Sequence, residues 1–234
     1  HDQALQLISM LRVEGVDIGL FENRSHLWPS REFVHTASAA KRLKERFDEL
    51  SLRPADIFLQ MDPDFVAHAI NHPDTNCREK ARDWFQHALE YARTLGCLHV
   101  TALPGADFDS EAHEDSLGRA IDELAWRVEQ SQAMGVVFGT EAHVGSIATT
   151  PEGAAELIEK VPGLTLTLDY THFTKEGVRD TRIEPLVKYA SHFHVRGARS
   201  GRLQAGFEQN TIDYERVLTA MKEADYRGWL GLEY

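Results

Sequence analysis

Residues 163–172 read GLTLTLDYTH. Successive side chains of a β-strand face opposite sides, so Leu164, Leu166 and Leu168 form one apolar face and Thr165, Thr167 and Asp169 form the other. A glycine opens the run and a carboxylate stands at its far end. This pattern recurs along the chain with little sequence identity between copies. Further β-rich runs follow Gly15 (16–21), Gly96 (97–102), Gly135 (136–143) and Gly228 (229–234), and two more, at 55–61 and 191–197, fit the alternation without the glycine. The glycines are predicted to take the left-handed position that ends a helix.

Between these runs lie stretches of helical periodicity, predicted at 2–13, 38–50, 78–95, 111–134, 151–160, 182–189 and 214–224. In the third, Ala81, Trp84, Phe85, Ala88, Leu89, Ala92 and Leu95 repeat at the three- and four-residue spacing of a helix laid on a sheet. Seven β runs separated by helices predict an α/β protein with parallel strands and crossover helices. The glycine-rich dinucleotide fingerprint and the P-loop are both absent, which favours a (β/α)8 TIM barrel over a doubly wound sheet. The count is one short of eight. The chain opens on a helix and closes on a strand, so strand 1 and the last helix are expected to be missing from it.

The 234 residues carry no Pro/Gly/Ser-rich or charge-blocked linker, which predicts a single domain over 1–234. With 25 Lys+Arg against 37 Asp+Glu the net charge is −12, which opposes attraction to nucleic acid or an anionic membrane. Only Cys77 and Cys97 are present, too few for a disulfide scaffold or a cysteine-rich zinc site, and this fits a reducing, cytoplasmic setting. Exposed barrel helices often support dimers, which leaves a homo-oligomer open.

Where the apolar residues face the outer helices, the others face the lumen. Elimination turns Thr165, Thr167 and Asp169 inward, then His192, His194 and Arg196, then Trp229, Gly231 and Glu233. With Val136 and Phe138 outside, it also turns Val137, Gly139, Glu141 and His143 inward. Four consecutive strands therefore bring Glu141, Asp169, His194 and Glu233 to the C-terminal rim, where barrel enzymes carry their chemistry. Three carboxylates placed together repel unless a cation offsets them. The expected cofactor is one divalent metal ion. Oxygen-rich ligation with a single imidazole suits Mn²⁺, Mg²⁺ or Co²⁺, with Zn²⁺ also compatible. The rival reading is structural ion pairing among His192, Arg196 and the carboxylates.

At these residues the chain resembles the xylose isomerase-like barrel superfamily, in particular its sugar isomerase/epimerase group of tagatose/psicose 3-epimerases, hydroxypyruvate isomerases and inosose dehydratases. The resemblance is carried by Glu141 in GTEAH, Asp169 and His172 in LDYTH, His194 in HFHVRG and Glu233 in GLEY. It implies that Glu141, Asp169, His194 and Glu233 hold the metal, and that His172 and Arg196 contact substrate oxygens. His143 is read as substrate-facing or as a group behind the ligands. Trp28, in the loop after the Gly15 run, would stack on a sugar's apolar face, and Asn71 and His72 stand where substrate contacts can occur.

The resemblance further implies a metal-dependent isomerase or epimerase of a small keto sugar or polyol derivative, with Glu141 and Glu233 exchanging a proton through a metal-stabilised enediolate. Three alternatives stand beside it. One is a dehydratase or other lyase that starts from the same enediolate. A second is a phosphodiesterase like the superfamily's abasic-site endonucleases, disfavoured by the acidic charge and the few inward histidines. The third is a sugar-binding barrel that does no chemistry. No nucleic-acid or membrane partner is expected.

Overall fold

In the computed structural model, which describes residues 2–233, helix α1 (Asp2–Met10) precedes strand β1 (Gly15–Phe21). Short helix α2 (Pro29–Glu32) and α3 (Thr36–Glu49) lead to β2 (Arg53–Gln60), α4 (Thr75–Leu95) to β3 (His99–Ala102), and α5 (His113–Ala133) to β4 (Val137–Thr140). Then come α6 (Pro151–Lys160), β5 (Thr165–Asp169), α7 (Tyr170–Lys175), α8 (Asp180–Ile183), β6 (Ala190–Val195), α9 (Tyr214–Glu223) and β7 (Leu230–Leu232). All seven predicted runs contain a strand. The strands are parallel and lie in chain order in one sheet. Its edge strands β1 and β7 approach each other, as when the ring of Trp229 packs against Gly15, so the sheet forms a nearly closed barrel. Tyr234, the last residue of the seventh run, lies outside the described residues.

Burial follows the alternation. Leu164, Leu166 and Leu168 sit in the layer between strands and helices, joined there by Ile57, Leu59, Val100, Phe138 and Phe193. Helix α4 starts where Asp74 accepts a hydrogen bond from the Asn76 amide at 2.9 Å, and it buries Ala81, Phe85, Ala88, Leu89, Ala92 and Leu95 against the sheet. Each large apolar side chain buried in this way contributes about 1.5–3 kcal/mol. No described helix is long and apolar enough to cross a membrane.

The glycine reading needs correction at two corners. Gly96 and Gly135 have φ of +88° and +65° and follow helix ends as expected, while Gly163, at +87°, is left-handed in the turn two residues past the Val161 cap of α6. Gly15 and Gly228 are not left-handed; Arg12 (φ 58°) and Asp225 (φ 53°) take that conformation nearby. Gly15 is needed for space, because a Cβ there would lie 2.8 Å from the Trp229 ring. The helix predicted at 182–189 is also corrected. Helix α8 gives way to a 3-10 segment at Glu184–Tyr189, where Pro185 occupies the first turn and supplies no amide donor.

Polar side chains fill the lumen floor. Asp56 meets His99 Nδ1 at 2.6 Å, His99 Nε2 meets Ser191 Oγ at 2.7 Å, and Ser191 Oγ lies 2.6 Å from Thr165 Oγ1. A bulge makes this possible. Leu166 pairs with Ala190 and Thr167 with His192, so Ser191 is skipped in the register and both Ser191 and His192 reach inward. His192 Nε2 lies 3.0 Å from Asp17 Oδ2, which reaches in from β1.

Candidate metal centre

Strands β5 and β4 end at Asp169 and Thr140, short of the runs read to His172 and His143. Strand β5 stops at Asp169 because its carboxylate caps α7, accepting from the Thr171 amide at 2.8 Å and from Thr171 Oγ1 at 2.7 Å. The first turn of α7 then brings His172 back over Asp169, with Nε2 3.4 Å from Asp169 Oδ2 and 3.6 Å from Glu141 Oε2. Strand β4 stops at Thr140, but the Glu141 amide still donates to Ala102 O at 3.2 Å, so Glu141 keeps its inward aim.

Glu141, Asp169, His194 and Glu233 come together. One ligand atom from each lies within 4.8 Å of all the others. His194 Nδ1 is 2.7 Å from Glu141 Oε1 and 3.5 Å from Glu233 Oε2, and Phe58 stacks on the His194 ring with centroids 5.8 Å apart. Glu141, Asp169 and His194 are buried, while Glu233 keeps 37% of its side chain exposed.

The protonation states diverge. Burial pushes Glu141 up, but the hydrogen bond from His194 and the charges of His172 and His194 outweigh it and hold the carboxyl at about 2. Burial pushes His194 down, and the Glu141 hydrogen bond and carboxylate charges raise it instead to about 10. Burial keeps His172 neutral, at about 4, against the pull of Glu141 and Asp169. Glu233 is raised, first by burial and then by the charge of Glu141.

The donor set fits a divalent ion. It supplies three carboxylates and one imidazole, and Glu233 Oε2 is buried without a hydrogen-bond partner among the described residues, an acceptor that a cation would satisfy.

Of the expected substrate contacts, His172 and Arg196 join the cluster. The Arg196 guanidinium, however, is turned onto carboxylates, with Nη2 2.8 Å from Asp169 Oδ2 and Nη1 3.2 Å from Glu233 Oε1. His143 flanks His172 with ring centroids 4.1 Å apart, and its Nδ1 lies 2.7 Å from Val144 O. Trp28 is half-buried outside the cluster. Its indole N–H donates to Ser25 O at 2.8 Å, and Arg31 covers the ring at 3.9 Å. Asn71 serves the fold by donating to Ala106 O and Ser116 O, and His72 Nδ1 accepts from the Asp74 amide. Two participants escaped the sequence reading. Thr171 could have been found as a hydroxyl two residues after an N-capping aspartate. Asp17 could have been found by the alternation itself, since Val16, Ile18 and Leu20 turn it into the lumen, where it meets His192 across the edge of the sheet.

Comparison with solved structures agrees with this architecture. The chain is similar to D-psicose 3-epimerase from Clostridium cellulolyticum H10 (TM-score 0.76, 13% identity, 99% of this chain and 78% of that one). It is similar to the IolI protein with a bound zinc atom (0.73, 19%, 99% and 82%) and to a probable 3-DHS dehydratase, AsbF, from Bacillus anthracis (0.74, 13%, 99% and 86%). No curated protein is matched by sequence. The model of one family, described as xylose isomerase-like TIM barrel, matches residues 10–234. With its fold, and with that match running over nearly its whole length, the chain belongs to the xylose isomerase-like TIM barrel family.

Proposed function

We propose that the protein is a divalent-metal-dependent isomerase or epimerase of a small keto sugar or polyol derivative. The observation that carries this reading is the gathering of Glu141, Asp169, His194 and Glu233 within 4.8 Å at the C-terminal ends of the strands. These four residues would hold the ion, with Mn²⁺, Mg²⁺, Co²⁺ and Zn²⁺ all compatible. When bound there, a divalent ion supplies Lewis acidity to a carbonyl oxygen and stabilises the negative charge left by loss of an adjacent proton.

The chain's own groups divide the remaining work. Glu141 and Glu233 are the proton-transfer pair, and their surroundings push their proton affinities apart, the usual mark of an acid and a base. One of the two takes the proton from carbon and the other returns one on the opposite face. His172 is neutral, with Nδ1 3.3 Å from the Val144 amide and Nε2 3.2 Å from Arg196 Nη2, and its imidazole is placed beside the carboxylates to contact a substrate oxygen. His143 packs on His172 and limits water around it. The epimerases among similar structures support a carbohydrate substrate.

The test is deuterium exchange. The protein is loaded with Mn²⁺ in D₂O and screened against keto sugars, with Glu141→Gln and Glu233→Gln alongside. Carbon-bound deuterium without loss of water is expected for the wild type, together with at least a hundredfold loss in each variant. Loss of water would instead assign the protein to the lyases, and binding without exchange would overturn the catalytic reading.

A further inference from the structure

Arg196 stands just beyond β6, and its side chain is only 9% exposed. A guanidinium has five N–H donors and keeps its charge at any physiological pH. Here Nε donates to Thr171 Oγ1 at 3.0 Å, Nη2 reaches Asp169 Oδ2 at 2.8 Å and lies 3.2 Å from His172 Nε2, and Nη1 lies 3.2 Å from Glu233 Oε1. Most of the fork is thus spent within the cluster. It bridges two carboxylates that arrive from opposite sides of β6, one at the end of β5 and one just after β7. Of the three acids, Glu233 is the one with substantial exposure, and Arg196 Nη1 restrains its Oε1 while Oε2, 3.5 Å from His194 Nδ1, makes no hydrogen bond among the described residues.

We propose that Arg196 is a positioning residue and the standing counter-cation of this cluster. It ties Asp169 to Glu233, and its fixed positive charge opposes that of a divalent ion held by the same carboxylates. This inference rests on the metal reading above and adds a consequence that reading lacks. Three acids gathered without compensation would repel one another, so the guanidinium stabilises the assembled donor set. The same charge, a few ångströms from a bound cation in a low-dielectric rim, weakens the hold on that cation. Arg196 thereby exchanges ion affinity for a preformed site. An arginine that served only to contact substrate would leave ion affinity untouched.

The experiment uses the full chain, stripped with chelator and titrated with MnCl₂ alone, as wild type, Arg196→Gln and Arg196→Lys. Arg196→Gln is expected to bind Mn²⁺ about tenfold or more tightly than wild type, with a lower thermal midpoint in chelator and a smaller difference at saturating Mn²⁺. Arg196→Lys retains the charge but cannot bridge both carboxylates. It should keep Mn²⁺ affinity within about threefold of wild type while its midpoint in chelator falls, and this keeps the test decisive if the glutamine variant does not fold. Equal or weaker Mn²⁺ binding by a folded Arg196→Gln overturns the proposal, as does a lysine variant with an unchanged midpoint and weakened binding. If the wild type takes up no Mn²⁺, the metal reading itself is what has failed.

Discussion

The Asp56 carboxylate meets His99 Nδ1 at 2.6 Å inside the barrel, where neither residue has more than 7% of its surface exposed. Burial raises the Asp56 pKa, but the charge and hydrogen bond of His99, with help from His192 and His194, outweigh it and bring the group to about 2 from an ordinary 3.8. A carboxyl whose pKa is depressed on folding contributes stability above its unfolded value and loses it as pH falls through the folded one. The window is therefore about pH 4 to 2, and the loss is about 2 kcal/mol. Urea unfolding between pH 5 and 2 should show this slope in the wild type and a flatter one in Asp56→Asn. Parallel slopes in the two proteins would remove Asp56 as the source.

The outer layer holds a second buried pair. Arg127 is 1% exposed and Glu123 3%, with Arg127 Nη1 2.9 Å from Glu123 Oε2 and Arg82 Nε 3.0 Å from the same oxygen. Burial lowers the Arg127 pKa to about 10, against the pull of Glu123. Glu123→Ala would leave that guanidinium without its counter-charge, and breaking a buried pair in this way costs about 3–5 kcal/mol. Chemical denaturation measures it, and a loss below about 1 kcal/mol would show that Arg127 finds solvent or another partner.

Gly139 makes room in the lumen. A Cβ added there would stand 2.6 Å from Thr167 Oγ1 and 2.9 Å from His99 Cε1. Gly139→Ala is therefore expected to cost about 1–3 kcal/mol by overpacking, and to disturb the Asp56–His99 contact. Its thermal midpoint and the acid slope described above should change together. An alanine variant as stable as wild type would mean that the floor yields more easily than its hydrogen bonds suggest.

The strands and their inward sets were legible because one face of each had to be apolar: Leu164, Leu166 and Leu168 leave Thr165, Thr167 and Asp169 no other direction. The same logic brought Glu141, His194 and Glu233 to one rim. What alternation could not express was any local departure from it. The Ser191 bulge is a backbone irregularity without a residue signature, and the cap at Asp169 turns the last three residues of the 163–172 run into helix. Long side chains were the other blind spot. Placing Arg196 inward was sound, but a flexible side chain chooses its partner by charge, and the nearest charges were Asp169 and Glu233 rather than open space.

In the proposed metal site, His194 is expected to set the pH dependence of ion uptake. Burial lowers its pKa, but the Glu141 hydrogen bond and the surrounding carboxylates raise it to about 10, so at neutral pH both ring nitrogens carry protons. To act as a ligand, Nδ1 must release its proton, which at present faces Glu141 at 2.7 Å. A raised pKa means that the proton competes with the ion at every pH below about 10. Apparent Mn²⁺ affinity should accordingly rise by up to about tenfold per pH unit between pH 6 and 8, with close to one proton released per ion. Calorimetric titration in buffers of different ionisation enthalpy counts that proton directly. Uptake without proton release would mean either that His194 is already neutral when the ion arrives or that the imidazole is not a ligand, and His194→Gln separates the two, since only the second leaves affinity unchanged.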